Sequence, residues 1–172
     1  MADVVTTESN CARAVKEMQK YDKDFELYDL TYEVEEIFKE FFCNYLSGNL
    51  PYLEKTSGGP ALAIVKSELK TRETEKWKYK YNDILNINAP IFLGGCIPEK
   101  QTAQFTYTIE VQELNCKVDL KDGSIKDGSD DKIIDATYRI TVGRHLNPDL
   151  ELAGHYWEIV EFNKVGELQK IV

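Results

Sequence analysis

The hydrophobic periodicity of the chain changes once, near residue 76, and this change limits the folds that the sequence can adopt. Before that point, apolar residues recur every three or four positions, the spacing of a helix face that packs on a core. After it, aromatic and β-branched residues alternate with polar ones, as in strands with one buried face. The helical stripe consists of Val34, Ile37, Phe38, Phe41, Phe42, Tyr45 and Leu46, and the clearest alternation of Phe105, Tyr107, Ile109 and Val111. Helices followed by strands predict an α+β fold, a curved antiparallel sheet with N-terminal helices packed on one face.

Turn and capping residues set the expected boundaries of these elements. Asn10 can cap a first helix, Gly48 can end the second, and Asn49 with Pro51 can begin the short third one. The predicted helices span residues 10–21, 30–47, 49–56 and 61–75. Asp122-Gly123 predicts a β-hairpin, and Asp127-Gly128 predicts a second turn just behind it.

Composition and charge exclude several function classes. At 172 residues with 42% hydrophobic and 30% charged residues, the chain fits one globular domain. Its net charge of −9 argues against a nucleic-acid partner, because such binding depends on Lys and Arg neutralising phosphates. The longest apolar run, Ala61–Val65, is far shorter than a membrane-spanning helix requires. Membrane association is therefore expected to be peripheral or through a partner.

A run of basic residues in the fourth predicted helix and the strand that follows it is a local exception to the acidic balance. It comprises Lys66, Lys70, Arg72, Lys76, Lys78 and Lys80. Charge runs of this kind are typical of the solvated face of a helix or strand, and we interpret these side chains as exposed.

The sequence carries no arrangement typical of a metal site, a cofactor site or a catalytic centre. Four widely separated cysteines include no CxxC pair, and the acidic turns lack the spacing of a calcium loop. The two histidines, His145 and His155, flank one loop without an acid at a pairing distance, and we expect ordinary surface or loop histidines. Glu110 and Glu113 fall on opposite faces of a strand, so one of them is expected to point inward. We therefore expect no catalytic residue, no metal ligand and no cofactor.

Three aromatic residues that alternate with lysines are candidates for a protein-binding surface. Trp77, Tyr79 and Tyr81 would line one face of a strand, where aromatic side chains often anchor a partner. The alternative is that they fill the core. Both interpretations are compatible with the sequence.

Several strings, taken in order, resemble the C-terminal domain of the mitochondrial inner-membrane translocase subunit Tim44. The resemblance covers residues 22–172. It rests on Asp22-Lys23-Asp24-Phe25, on the segment from Asn44 to Leu53, on the hairpin from Asp122 to Ile133, on Tyr138 and Arg144, on Asn147-Pro148 and on Tyr156-Trp157-Glu158-Ile159. The resemblance implies the cone-shaped fold of nuclear transport factor two, and it supplies no catalytic residues.

The resemblance also implies a place and a role. We expect a non-enzymatic scaffold or accessory subunit on the matrix side of the mitochondrial inner membrane, in a respiratory-chain complex or ATP synthase, with other protein subunits of a large complex as partners. An adaptor of the protein-import motor is the main alternative. A mitochondrial ribosomal subunit is a further one, as is a small-molecule isomerase or dehydratase on the same cone.

The first 21 residues precede the region of resemblance and form a separate prediction. Residues 1–21 are expected to be a partner-binding segment, and residues 22–172 the Tim44-like domain. Once the segment is helical, Ala12, Val15 and Met18 would form a small apolar stripe that packs in a groove of a neighbouring subunit.

Overall fold

The structure is a computed structural model that describes residues 2–82 and 84–169. Five helices and six strands are found in this part of the chain. The helices are α1 (Ala2–Gln19), α2 (Leu27–Ser47), α3 (Leu50–Thr56), α4 (Gly59–Glu75) and α5 (Pro148–Leu152). The strands are β1 (Trp77–Tyr79), β2 (Asn86–Ile87), β3 (Ile91–Cys96), β4 (Gln104–Asp119), β5 (Ile125–Arg144) and β6 (Trp157–Gln169). The change of period near residue 76 thus marks the change from helix to strand.

Local sequence signals explain the ends of α2 and α3. Gly48 adopts a left-handed conformation with φ 75° and donates its N–H to the Tyr45 carbonyl, which ends α2. The Asn49 side chain then accepts a hydrogen bond from the Tyr52 N–H and caps α3, which has Pro51 in its first turn.

Strand β4 organises the sheet. It pairs along one edge with β1, β2 and β3 and along the other with β5, and β6 completes the antiparallel sheet beyond β5. The register places Trp77 opposite Asp119 and Ile91 opposite Thr108, so the three short strands follow one another along β4. Register shifts interrupt three of these pairings, β3–β4, β4–β5 and β5–β6, and such bulges increase local twist. The sheet is strongly curled into a half-barrel, and the predicted α+β cone is confirmed.

The core lies between the concave face of this sheet and α2. The buried residues of α2 are Leu30, Val34, Phe38, Phe41, Phe42 and Leu46, and those of the sheet include Phe105, Tyr107, Ile109, Val111, Tyr138, Ile140 and Phe162. Ring centroids of Phe42 and Tyr138 are 5.1 Å apart, and those of Phe41 and Phe162 are 5.0 Å apart. The apolar stripe predicted for α2 is therefore the side of the helix that packs on the sheet.

Helix α1 packs on β3, and this corrects the expectation for residues 1–21. Met18 is 1% exposed and Ala14 is fully buried in the core, while Val15 packs against its edge. Of the predicted stripe, only Ala12 is exposed. The end of α1 thus contributes to the domain core, because Ala14 and Met18, one turn apart on the same side of the helix, face the sheet.

The second predicted turn is also corrected. Asp122-Gly123 does form the β4–β5 hairpin turn, but Gly128 lies inside β5 opposite Cys116, at a shift of register. Gly128 has φ 74°, and a Cβ there would overlap the carbonyl oxygen of Asn115. The residue is therefore a glycine at a β-bulge, where the sequence pattern indicated a turn.

Candidate functional site

The predicted aromatic wall serves contacts within the domain. Trp77 is only 6% exposed and donates its indole N–H to Glu75 at 2.9 Å, and its ring lies edge-on to that of Tyr79. Tyr79 is half-buried, and Tyr81, also half-buried, has the Lys80 ammonium 5.4 Å above its ring. Trp77 and Tyr79 are consequently not available as the anchors of a partner surface.

Arg72 lies among these aromatic rings and contacts them. Its guanidinium lies 4.7 Å from the ring centroids of both Tyr45 and Tyr79 and 5.6 Å from that of Trp77. Its Nη1 donates to the carbonyl of Tyr45 at 2.7 Å and of Leu46 at 3.3 Å. Arg72 is 6% exposed, so the expectation that it belongs to a solvated basic run was wrong. The charge is compensated by the carboxylate of Glu68, 3.6 Å from Nε, by the ring faces and by the carboxyl end of α2.

A cavity of about 210 Å³ lies inside the cone next to these rings. Its walls are largely aromatic, and its polar floor is Glu113, which is 6% exposed. Tyr138 donates its hydroxyl to the Glu113 carboxylate, with both oxygens at 3.1 Å, and Lys164 lies 3.0 Å from one of them. Glu113 is therefore the inward carboxylate that strand alternation predicted.

The charges and burial around Glu113 keep the Tyr138 phenol protonated and the Lys164 ammonium charged. Burial and the neighbouring Glu113 carboxylate raise the pKa of Tyr138, so the phenol stays protonated and continues to donate. Burial lowers the pKa of Lys164, but the carboxylates of Glu167 and Glu113 raise it by more, and the ammonium stays charged. Each charged group already has a partner on this chain.

This cavity offers hydrogen bonds to a small ligand, but its groups do not form a nucleophile and base pair. The carboxylate accepts from Tyr138 and Lys164, and the wall residues Phe42, Tyr45 and Phe162 are apolar or phenolic. Among the residues described, no three His, Cys, Asp or Glu side chains come together in the way a metal ion needs.

His145 differs from the loop histidine that was expected, since it is 8% exposed. Its Nδ1 accepts the Asn147 N–H at 3.2 Å and its Nε2 contacts the carbonyl oxygen of His155, an arrangement that requires a neutral ring with the proton on Nε2. Burial, chiefly, lowers the pKa of His145. The ring fixes the loop before β6 through these two contacts, and it lies at the border of a wide, open concavity of about 950 Å³.

We predict that His145 makes the protein less stable in mild acid. Because the folded-state pKa is below the usual value of about 6.5, the unfolded chain binds the proton first, and the free energy of unfolding should fall as pH drops below that value. Urea unfolding between about pH 7.5 and pH 5.5 measures this slope. His145→Gln should flatten it. An equal slope in wild type and His145→Gln would contradict the neutral, buried ring.

A second concave site, which we call the acidic groove, lies on the outside of α2. It has a volume of about 380 Å³ and runs between α2, α3 and the segment that leads into β6. Its floor is apolar and includes Ile37, Phe41, Trp157 and Ile159. Its rim carries the carboxylates of Glu33, Glu36 and Glu40, and none of the described residues that line it is Lys or Arg.

The rim carboxylates are only lightly compensated. Glu40 accepts a hydrogen bond from the Tyr52 hydroxyl at 2.8 Å, and Lys39 lies 3.3 Å from Glu36. Partial loss of hydration, with Asp29 nearby, raises the pKa of Glu33. Sequence reasoning missed this groove, although the spacing of Glu33, Glu36 and Glu40 places them on one side of α2 and was a usable signal.

Comparison with known proteins identifies the fold family. The sequence model of the Tim44-like domain family matches residues 11–164, which is most of the chain. The chain belongs to the Tim44-like domain family. This match begins at residue 11, in agreement with the packing of the end of α1 on the domain, and it confirms the resemblance read from the sequence.

Other comparisons of this Tim44-like domain add information on the fold. Curated protein sequences give no significant match. Among solved structures, the intermembrane space region of the chloroplast protein ARC6 is similar, with a TM-score of 0.51 and 14% identity over 78% of this chain and 95% of that chain. At this level of identity the similarity concerns the fold alone.

Family membership indicates a mitochondrion-associated protein that acts through contacts with other proteins, in a family that is generally not catalytic. No helix in the described part of this Tim44-like domain has the length and apolar character to cross a bilayer. The acidic groove, more than the cavity, has the open shape that a protein partner would need.

Proposed function

We propose that this Tim44-like domain is a non-enzymatic scaffold or accessory subunit on the matrix side of the mitochondrial inner membrane, in a respiratory-chain complex or ATP synthase. The observation that carries the proposal is the acidic groove, an open concave surface with an apolar floor and a charged rim. Interfaces are built in this way, with an apolar centre and a polar border.

The internal cavity supports the same conclusion by its chemistry. An enzyme of the isomerase type needs a carboxylate or similar base whose charge is free to act on a substrate. Glu113 instead accepts the single Tyr138 hydroxyl proton, which lies between its two oxygens, and forms an ion pair with Lys164. We interpret this cluster as a structural support of the cone.

The negative charge favours a protein over a nucleic acid as partner. A net charge of −9 repels phosphates, and the one buried cation of the basic run, Arg72, is enclosed by rings. This argues against the role of a mitochondrial ribosomal subunit that contacts RNA. The outward side of α1, which carries the exposed Ala12, remains a second proposed contact with the same assembly.

An import-motor adaptor is the second candidate, and the family match favours it, since the family takes its name from Tim44. The acidic groove would serve such an adaptor equally well. The two functions differ in the proteins that should be found with the chain.

The test is to isolate the tagged chain from mitochondria after mild detergent extraction and to identify the proteins that remain bound. We expect co-migration with a respiratory-chain complex or ATP synthase on a native gel, and release from membranes by alkaline carbonate. Recovery with an import channel and its chaperone would support the adaptor role instead. Migration as a free small protein, like a tagged soluble matrix enzyme used as control, would contradict both.

A further inference from the structure

We infer that the acidic groove binds a basic amphipathic helix of the partner protein, with apolar residues on the floor and Lys or Arg side chains against the rim. This inference rests on the proposed protein-binding function and names the chemistry of the partner. The occupant follows from three properties of the groove, namely its length, its charge and its aromatic border.

The length and layout of the groove match a helix. Glu33, Glu36 and Glu40 are three and four residues apart, so they form a row of about 10 Å along two turns of α2. Ile37, which is half-buried, lies beside this row, and the edge of the buried Phe41 ring lies below it, so the floor next to the acidic row is apolar. A partner helix with one apolar strip and one basic strip is complementary to this pattern.

A second concavity of about 350 Å³ extends the same surface toward α1. It shares Glu33, Tyr156 and Trp157 with the acidic groove and adds the carboxylate of Asp22. Arg144 is its cation, and this guanidinium is already paired with Glu151 at 3.1 Å and flanked by the Tyr156 ring. The acidic surface is therefore continuous for longer than a single turn of helix.

The charge of the groove favours a cationic occupant over other partners. Three carboxylates face one open volume with Lys39, which contacts Glu35 and Glu36, as the neighbouring ammonium. Partial burial and the nearby Asp29 raise the pKa of Glu33, and an incoming positive charge would stabilise its carboxylate. A second copy of the chain would bring the same acidic rim to the interface, and like charges placed face to face oppose association.

The border of the groove supplies aromatic side chains that can hold Arg. Tyr156 and Tyr52 both line the groove; Tyr156 is 45% exposed and Tyr52 is half-buried. Tyrosine side chains are frequent anchors at interfaces, and their ring faces attract guanidinium groups.

The inference can be tested with purified protein and synthetic helices. The probe is a fluorescent amphipathic peptide of about 18 residues with leucine on one face and arginine along its border, long enough to form a helix once bound. Two comparison peptides replace arginine by glutamate, or leucine by alanine. We expect the basic peptide to bind, the acidic one not to bind, and the alanine version to bind at least about tenfold more weakly.

Two charge-reversed proteins assign the binding to the groove. Glu36→Lys combined with Glu40→Lys should weaken the basic peptide by about tenfold, and salt at about 150 mM should weaken wild-type binding relative to about 20 mM. The matched control is Glu73→Lys with Glu99→Lys, which makes the same change in net charge at exposed positions outside the groove. Circular dichroism melting shows that each variant is folded.

Equal weakening by the groove pair and the control pair would mean that only net charge matters, and it would overturn the inference. Equal binding of the leucine and alanine peptides would also overturn it, because the floor would then be unused. A wild-type dimer dissociated by the groove pair would show that a second copy occupies the groove, again against the inference. The proposed function is tested separately, since co-migration of wild-type protein with a complex does not depend on the peptide result.

Discussion

Phe42→Ala should lower the free energy of unfolding by about 3–5 kcal/mol. Phe42 is fully buried, and its ring centroid lies 5.3 Å from that of Phe38 and 5.1 Å from that of Tyr138. Removing the ring leaves a cavity between α2 and the sheet that the surrounding aromatic residues cannot close without moving the helix. Urea unfolding monitored by circular dichroism gives the value, and the melting temperature should fall by about 10 °C.

The control for Phe42 lies on the same helix. Tyr28 is 69% exposed, so Tyr28→Ala also removes an aromatic ring from α2 but opens no cavity. Its effect should stay within about 0.5–1 kcal/mol. A loss below about 1 kcal/mol for Phe42→Ala would show that α2 does not pack on the sheet in the way described.

Arg72→Met should lower the free energy of unfolding by about 2–4 kcal/mol, although it replaces a charged residue by an apolar one of similar length. The guanidinium donates to the Tyr45 and Leu46 carbonyls at the end of α2 and packs on the rings of Tyr45 and Tyr79. Methionine can fill the space but cannot donate a hydrogen bond. The carbonyls of Tyr45 and Leu46 therefore lose a buried donor, and the cation–π contacts are lost as well. Chemical unfolding of both proteins measures the difference.

Two comparisons make the Arg72 result specific. Lys70→Met, at an exposed position of the same helix, should change stability by no more than about 0.5 kcal/mol. Arg72→Lys keeps the charge but lacks the planar group that contacts two carbonyls and two rings at once, so it should remain destabilising. A lysine variant as stable as wild type would mean that charge alone, and not the fork of donors, holds α4 to the end of α2.

Phe42 and Arg72 stabilise the domain at positions that lie away from the carboxylates of the acidic groove. Phe42 and Arg72 connect the helices to the sheet on the inner side of α2 and at its end, next to the cavity that Glu113, Tyr138 and Lys164 line. The carboxylates of the acidic groove lie on the other side of α2, whereas its floor shares Phe41 and Ile159 with the core. Because the acidic and apolar stripes of the helix are separate, the rim can be changed by charge reversal without altering the core.

The sequence alone determined the parts of the structure that depend on local period and turn chemistry. The stripe on α2, the caps at Gly48 and Asn49, and the alternation along β4 each follow from neighbouring residues, and all three were predicted. Inward orientation of Glu113 followed from the same alternation. The resemblance to the Tim44 domain rested on short strings in the same order, and the family match agrees with it.

Only the tertiary structure decided the features that depend on residues far apart in the chain. Arg72 looked like one solvated cation among lysines, and its burial depends on Tyr45 and Tyr79, which come from two other elements. Met18 looked available to a partner because nothing local shows that α1 packs on β3. The acidic groove exists because α3 and the start of β6 lie beside α2, and a pattern within one helix cannot give the depth of a groove between three segments. Local spacing fixes which side of an element is apolar or charged, but the sites themselves are formed where the fold brings those sides together.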